Sequence, residues 1–140
     1  MRPDHRAAAR RLVAAGESGA LDDLCEQFGV RLLALFGSAV RPDRGHPVAP
    51  RDLDVAVAFR PGVAGDLFGF IDRLAVLAGP AELDPLDLDA AEPVARAEAL
   101  SGVPLFEDVA AAFAEARIAA LLTRWDTAWL RRLELERLVS

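Results

Sequence analysis

The apolar positions of this chain repeat in two periods, and the changes of period mark its elements. Residues 5–15 put Ala8, Leu12 and Ala15 on one side of a helix, and after Gly16 a second helical pattern carries Leu21, Leu24, Cys25 and Phe28. Ser18 is placed to cap that second helix and Gly29 to end it. Val30–Phe36 is a short Leu- and Val-rich run between Gly29 and Gly37, which predicts a buried strand. Pro42, Pro47 and Pro50 exclude regular structure over 41–51. Leu53–Phe59 is apolar on both faces, the pattern of a central strand, and Arg60-Pro61-Gly62 closes it.

Residues 66–78 form a helix pattern with Leu67, Phe70, Ile71, Leu74 and Leu77 on one stripe, stopped by Gly79-Pro80. A third strand is expected over about 82–88. The rest reads as helical: 93–100, a turn at Gly102-Val103-Pro104, a helix over 108–122 and a last one over 126–138. The order predicts an α/β (α+β) fold in which a small mixed β-sheet packs against helices from both ends of the chain. There is no internal repeat, and residues 1–140 read as one domain that includes the helices of about 93–138.

Composition narrows the classes. Hydrophobic residues make up 53% of the 140 and charged residues 27%, which suits a packed domain and not a disordered chain. The net charge of −6 argues against direct nucleic-acid binding and suits a basic protein partner. Cys25 is the single cysteine, placed as a small apolar residue would be, consistent with a reducing cytoplasm. No apolar run is long enough for a membrane span, so a cytoplasmic protein is expected.

The chemistry concentrates at two stretches. Leu35-Phe36-Gly37-Ser38 ends the first strand, and Asp52-Leu53-Asp54 heads the second after a thirteen-residue loop, 39–51. Alternate residues of a strand share a face, so Asp52 and Asp54 point the same way with Cα atoms roughly 6.5 to 7 Å apart. Such paired hard oxygen ligands suit Mg²⁺. Gly37 lets a phosphate approach the backbone, and Ser38 offers a hydroxyl and free N–H groups if a helix begins there. A third acid on the next strand would complete the site; Asp84 is the first choice and Asp87 its rival, and being three apart they cannot both face it. Singly, a Gly-Ser is an ordinary turn and an Asp-x-Asp a solvated strand end. Together, ionised carboxylates at the head of a buried strand call for a cation.

Other polar residues read more plainly. His46 reads as a solvated loop histidine over a proton shuttle, His5 has no partner at metal-ligand spacing, and Arg41, ahead of Arg44 and Arg51, either contacts a bound phosphate group or serves loop solubility. Trp125 and Trp129 share a helix face suited either to core packing or to a homo- or hetero-oligomer surface.

Leu35-Phe36-Gly37-Ser38-Ala39-Val40-Arg41, Asp52-Leu53-Asp54-Val55-Ala56-Val57 and Leu83-Asp84-Pro85-Leu86-Asp87-Leu88 resemble the nucleotidyltransferase superfamily typified by DNA polymerase β. Size and layout are similar to its minimal nucleotidyltransferase (MNT) family, MntA-type antitoxins paired with HEPN-domain toxins. The resemblance implies the polymerase β-like nucleotidyltransferase fold and a Mg²⁺-dependent enzyme that moves AMP from ATP to a hydroxyl, a tyrosine of the cognate HEPN toxin. Gly37 and Ser38 would hold the β- and γ-phosphates of ATP, Asp52 and Asp54 would bind Mg²⁺, and Asp84 would help to bind a second metal and activate the attacking hydroxyl. Two further readings use the same residues: a transferase acting on a small hydroxylated molecule such as an aminoglycoside, and an antitoxin that acts by binding alone.

Overall fold

A computed structural model describes residues 4–40 and 52–139 of the chain. Two helices open it, α1 (His5–Ser18) and α2 (Ala20–Phe28), followed by strands β1 (Val30–Phe36) and β2 (Leu53–Phe59). Helix α3 (Leu67–Ala78) leads to β3 (Leu83–Asp87), α4 (Pro93–Leu100) to β4 (Val103–Glu107), and α5 (Ala112–Val139) closes the chain. The four strands form one sheet in the order β3-β2-β1-β4. The β1–β2 and β1–β4 pairs are antiparallel and β2–β3 is parallel, the mixed sheet that the pattern predicts.

The double apolarity of the central strands has a direct consequence: each face of the sheet buries its own core. Leu33, Leu35, Val55 and Val57 lie in one with Leu12, Leu21, Phe70 and Leu74 from α1, α2 and α3. Leu32, Ala34, Ala56 and Ala58 lie in the other with Ala97 and Leu100 of α4 and Phe113 and Ala120 of α5. Alternation along β2 therefore sends Val55 and Val57 toward α1–α3, and Asp54, Ala56 and Ala58 toward α4–α5.

Several boundaries depart from the sequence pattern. Helix α1 runs through Gly16 to Ser18, and the break falls at Gly19, which takes the left-handed φ of 82°. Gly16 instead marks a close approach, since a Cβ there would stand 2.8 Å from the Leu105 carbonyl oxygen of β4. The segment expected as a turn at 102–104 is the start of β4, which the pattern did not reveal because so short a strand at a sheet edge carries no clear alternation. Helix α5 starts at Ala112, not 108, because the Glu107 carboxylate accepts from the Ala111 and Phe113 N–H groups and caps it. It then runs unbroken through 123–125, where no Gly or Pro interrupts it, so the two expected terminal helices are one.

Among the described residues no helix is long and apolar enough to cross a membrane. Cys25 is buried, and desolvation, with the Asp22 charge nearby, pushes its thiol up to about 12, which keeps it unreactive. Gly102 is the tightest approach of the sheet, because a Cβ there would strike the Leu35 carbonyl oxygen and Phe36. Gly102→Ala is therefore expected to lower stability by about 2 kcal/mol or more, read as a fall in the urea midpoint at unchanged slope.

Candidate functional site

The site forms where β1 ends and β2 begins. Phe36 pairs with Asp54 across the antiparallel ladder, so Gly37 arrives directly beside the Asp54 side chain. Gly37 has a φ of 82°, which an L side chain rarely adopts, and any Cβ at this position would strike the Asp54 carboxylate. Glycine is thus needed here twice, for the backbone turn and for the space in which the carboxylate stands. Ser38 is exposed in the turn that follows, where the Val40 N–H donates to the Gly37 carbonyl oxygen at 3.3 Å. The described part, 37–40, is a turn.

The parallel pairing of β2 with β3 supplies the second carboxylate. Asp54 is in register with Asp84, and their side chains share a hydrogen bond. Such a bond between two carboxyl groups needs a proton on one of them. Desolvation, then the charge and hydrogen bond of Asp84, and then the charges of Asp52 and Glu98 push Asp54 up to about 6. Asp52 lies in the bend just before β2 and is exposed. The Glu98 charge acts on Asp54 from α4, an influence that sequence spacing could not signal because only the packing of α4 on the sheet brings it near.

Asp87 lies elsewhere. Leu86 packs in the α4–α5 core and Leu83 in the α1–α3 core, so alternation puts Asp84 on the Asp54 side and Asp87 on the other. Asp87 lines a 460 Å³ cleft with Arg31, Phe59 and Arg60 at the far end of the strands, and its carboxylate accepts from the Asp89 N–H at 3.0 Å. Arg41, His46, Arg44 and Arg51 lie outside the described residues.

The N-terminal helix, which the sequence offered only as core, holds this site from outside. His5 is buried, and its Nε2 accepts from the Glu82 N–H at 3.4 Å; the Glu82 carbonyl in turn accepts from Leu53 at 2.9 Å. Arg6 donates to the Ala39 carbonyl oxygen at 3.5 Å. One turn of α1 therefore touches both the strand entry before Asp84 and the turn after Gly37.

Among the described residues no three His, Cys, Asp or Glu side chains are grouped as a ready-made metal cage. The donor chemistry nonetheless fits a hard divalent cation. Asp54 and Asp84 are oxygen donors already in contact, and their mutual repulsion is of the kind a bound cation relieves.

No protein-family model matches the sequence, and no curated protein matches it. Solved structures do. A chain of a mutant MntA–HepT toxin–antitoxin complex superposes with a TM-score of 0.62 at 15% identity, over 87% of this chain and 98% of that one. A toxin–antitoxin structure with AMP-PNP gives 0.61 at 16% identity, over 87% and 98%. A complex of the tri-AMPylated Shewanella oneidensis HEPN toxin with its MNT antitoxin gives 0.61 at 15%, over 91% and 99%. The chain has the fold found in these toxin–antitoxin structures, across nearly the full length of the matching chains. It is an α/β arrangement with a mixed sheet packed against helices, the class that the sequence pattern predicts.

The raised Asp54 titration sets a pH dependence of stability. A carboxyl group whose folded pKa lies above its unfolded value favours the fold at low pH, and that contribution is lost as pH rises from about 4 through about 6. Asp54→Asn should thus unfold at higher denaturant than the parent protein at pH 8, by about 1 kcal/mol after allowing for solvent screening, with the gap closing toward pH 4. Urea titrations at the two pH values measure it. His5→Ala, which strands the Glu82 N–H, should cost about 1 to 2 kcal/mol in the same assay.

Proposed function

We propose that this chain is the antitoxin of a HEPN/MNT toxin–antitoxin pair and an ATP-dependent protein adenylyltransferase, moving AMP to a tyrosine hydroxyl of its cognate toxin. The observation that carries this reading is the contact of Asp54 with Asp84 beside the left-handed Gly37. Paired carboxylates next to an open glycine turn are what a nucleotide triphosphate with its divalent cation requires. The likeness to structures described as holding AMP-PNP and a tri-AMPylated toxin supports it.

In this reading Gly37 and Ser38 receive the β- and γ-phosphates, Gly37 by leaving the backbone open and Ser38 through its exposed hydroxyl and N–H. Arg41, outside the described residues, would contact the triphosphate. Asp52, Asp54 and Asp84 would hold Mg²⁺, which would neutralise phosphate charge and favour the ionised form of Asp54. Asp84 takes the proton of the attacking hydroxyl as its oxygen bonds to the α-phosphorus. The bond from that phosphorus to pyrophosphate breaks in line, and pyrophosphate leaves with the electron pair. The exposure of Asp52, Asp84 and Ser38 leaves the acceptor side open to a large partner, which favours a protein hydroxyl over a small molecule. The single buried cysteine accords with a cytoplasmic setting.

Purified protein with labelled ATP, Mg²⁺ and the toxin encoded beside it should label the toxin, and chelation with EDTA should stop it. Asp54→Asn and Asp84→Asn should each reduce the rate by about a hundredfold or more, while Asp87→Asn stays within about twofold. Undiminished labelling by Asp54→Asn would remove the assigned site. Toxin neutralised without label would leave an antitoxin that acts by binding.

A further inference from the structure

Helix α5 carries apolar side chains on two opposite faces, and the rest of the chain covers only one. Phe113 and Ala120 are buried and Ala116 is partly buried in the core on the α4 side. At 100° per residue, Ile118, Leu122, Trp125 and Trp129 lie on the other side, about 180° away. Their exposures are 59%, 53%, 65% and 59%. Four side chains of this size present on the order of 400 Å² of apolar surface, the scale at which a patch marks an interface. Past Leu122 every described side chain of the helix is exposed, along roughly 24 Å of its length, residues 124–139.

The order of the patch says what fits it. Positions 118, 122, 125 and 129 are spaced four, three and four, a pattern that reads the same in both directions about the point between Thr123 and Arg124. Three residues before its start stands Glu115, and three after its end stands Arg132, both exposed. A surface that is symmetric in its apolar spacing and opposite in charge at its two ends is self-complementary under a two-fold axis.

We propose that this face binds a second copy of the chain, with the two α5 helices antiparallel about an axis through the point between Thr123 and Arg124. Ile118 then packs against Trp129 of the partner subunit, Leu122 against the partner subunit's Trp125, and Glu115 pairs with the partner subunit's Arg132. These layers have the alternation of an antiparallel helix pair. Each exposed C-terminal half covers the outward face of the other copy's packed half. A parallel pairing would set glutamate against glutamate at one end and arginine against arginine at the other. The active-site cluster does not enter this interface, so the dimer stands or falls independently of the transferase chemistry.

The full-length protein is measured by sedimentation velocity and by tryptophan emission, Trp125 and Trp129 being the two tryptophans of the chain. At about 50 µM the mass should be that of two chains, and dilution should move the emission to the red as the mass falls to one. Leu122→Glu should give a single chain at that concentration, with its far-ultraviolet circular dichroism retained. Glu115→Arg should weaken the dimer at least about tenfold, and adding Arg132→Glu to it should restore the parent affinity, since only the antiparallel register joins these positions. A single-chain mass at about 50 µM would overturn the proposal, including the case in which α5 associates only with a different protein. So would a dimer that survives Leu122→Glu, or a double reversal that fails to restore it.

Discussion

Asp54 and Asp84 stand in register on adjacent parallel strands, close enough to share a hydrogen bond. Two carboxylates in such contact repel each other once both are ionised, so this end of the sheet favours a proton or a positive ion. Much of the surrounding structure serves to keep them there. Gly37 gives up its side chain so that Asp54 has room, and His5 and Arg6, on one turn of α1, tie down the two segments on either side. The fold tolerates a local repulsion because a continuous core on each face of the sheet supplies stability elsewhere.

That division of labour explains how a fold can be shared with so little sequence in common. The neighbouring structures agree with this chain at 14–16% identity, while the superposition runs through nearly the whole of their chains. A β1–β2–β3 frame needs apolar residues of about the right size on both faces and small residues at close approaches, and many sequences meet that demand. Gly16 and Gly102 are such approaches here, each facing a backbone carbonyl. The two cores also set the electrostatics: the face that receives α4 brings Glu98 to Asp54, while the opposite face carries Asp87 away to the cleft beside Arg31 and Arg60.

Helix α5 follows a different logic. Its first half completes the core on the α4 side, yet its outward face is as apolar as its inward one. An amphipathic helix with a single buried stripe would satisfy the monomer, so the second stripe asks for a partner. The charge signs at its ends make a second copy of the chain the natural occupant.

Strong periodicity and local stop signals carried most of the elements. β1, β2 and α4 fall where the pattern put them, and Gly29 and Gly79 end their helices, because strand and helix faces and glycine stops are local properties. The Gly37, Asp52 and Asp54 constellation was legible for the same reason: its members lie at the ends of adjacent strands. The tertiary structure alone shows that Asp84, and not Asp87, lies against Asp54, since this depends on which face of the sheet each core covers. It also decided that β4 pairs at the edge, that the Glu98 charge acts on Asp54 and that His5 is a buried acceptor. All three rest on contacts between residues distant in the chain, which a local pattern cannot encode.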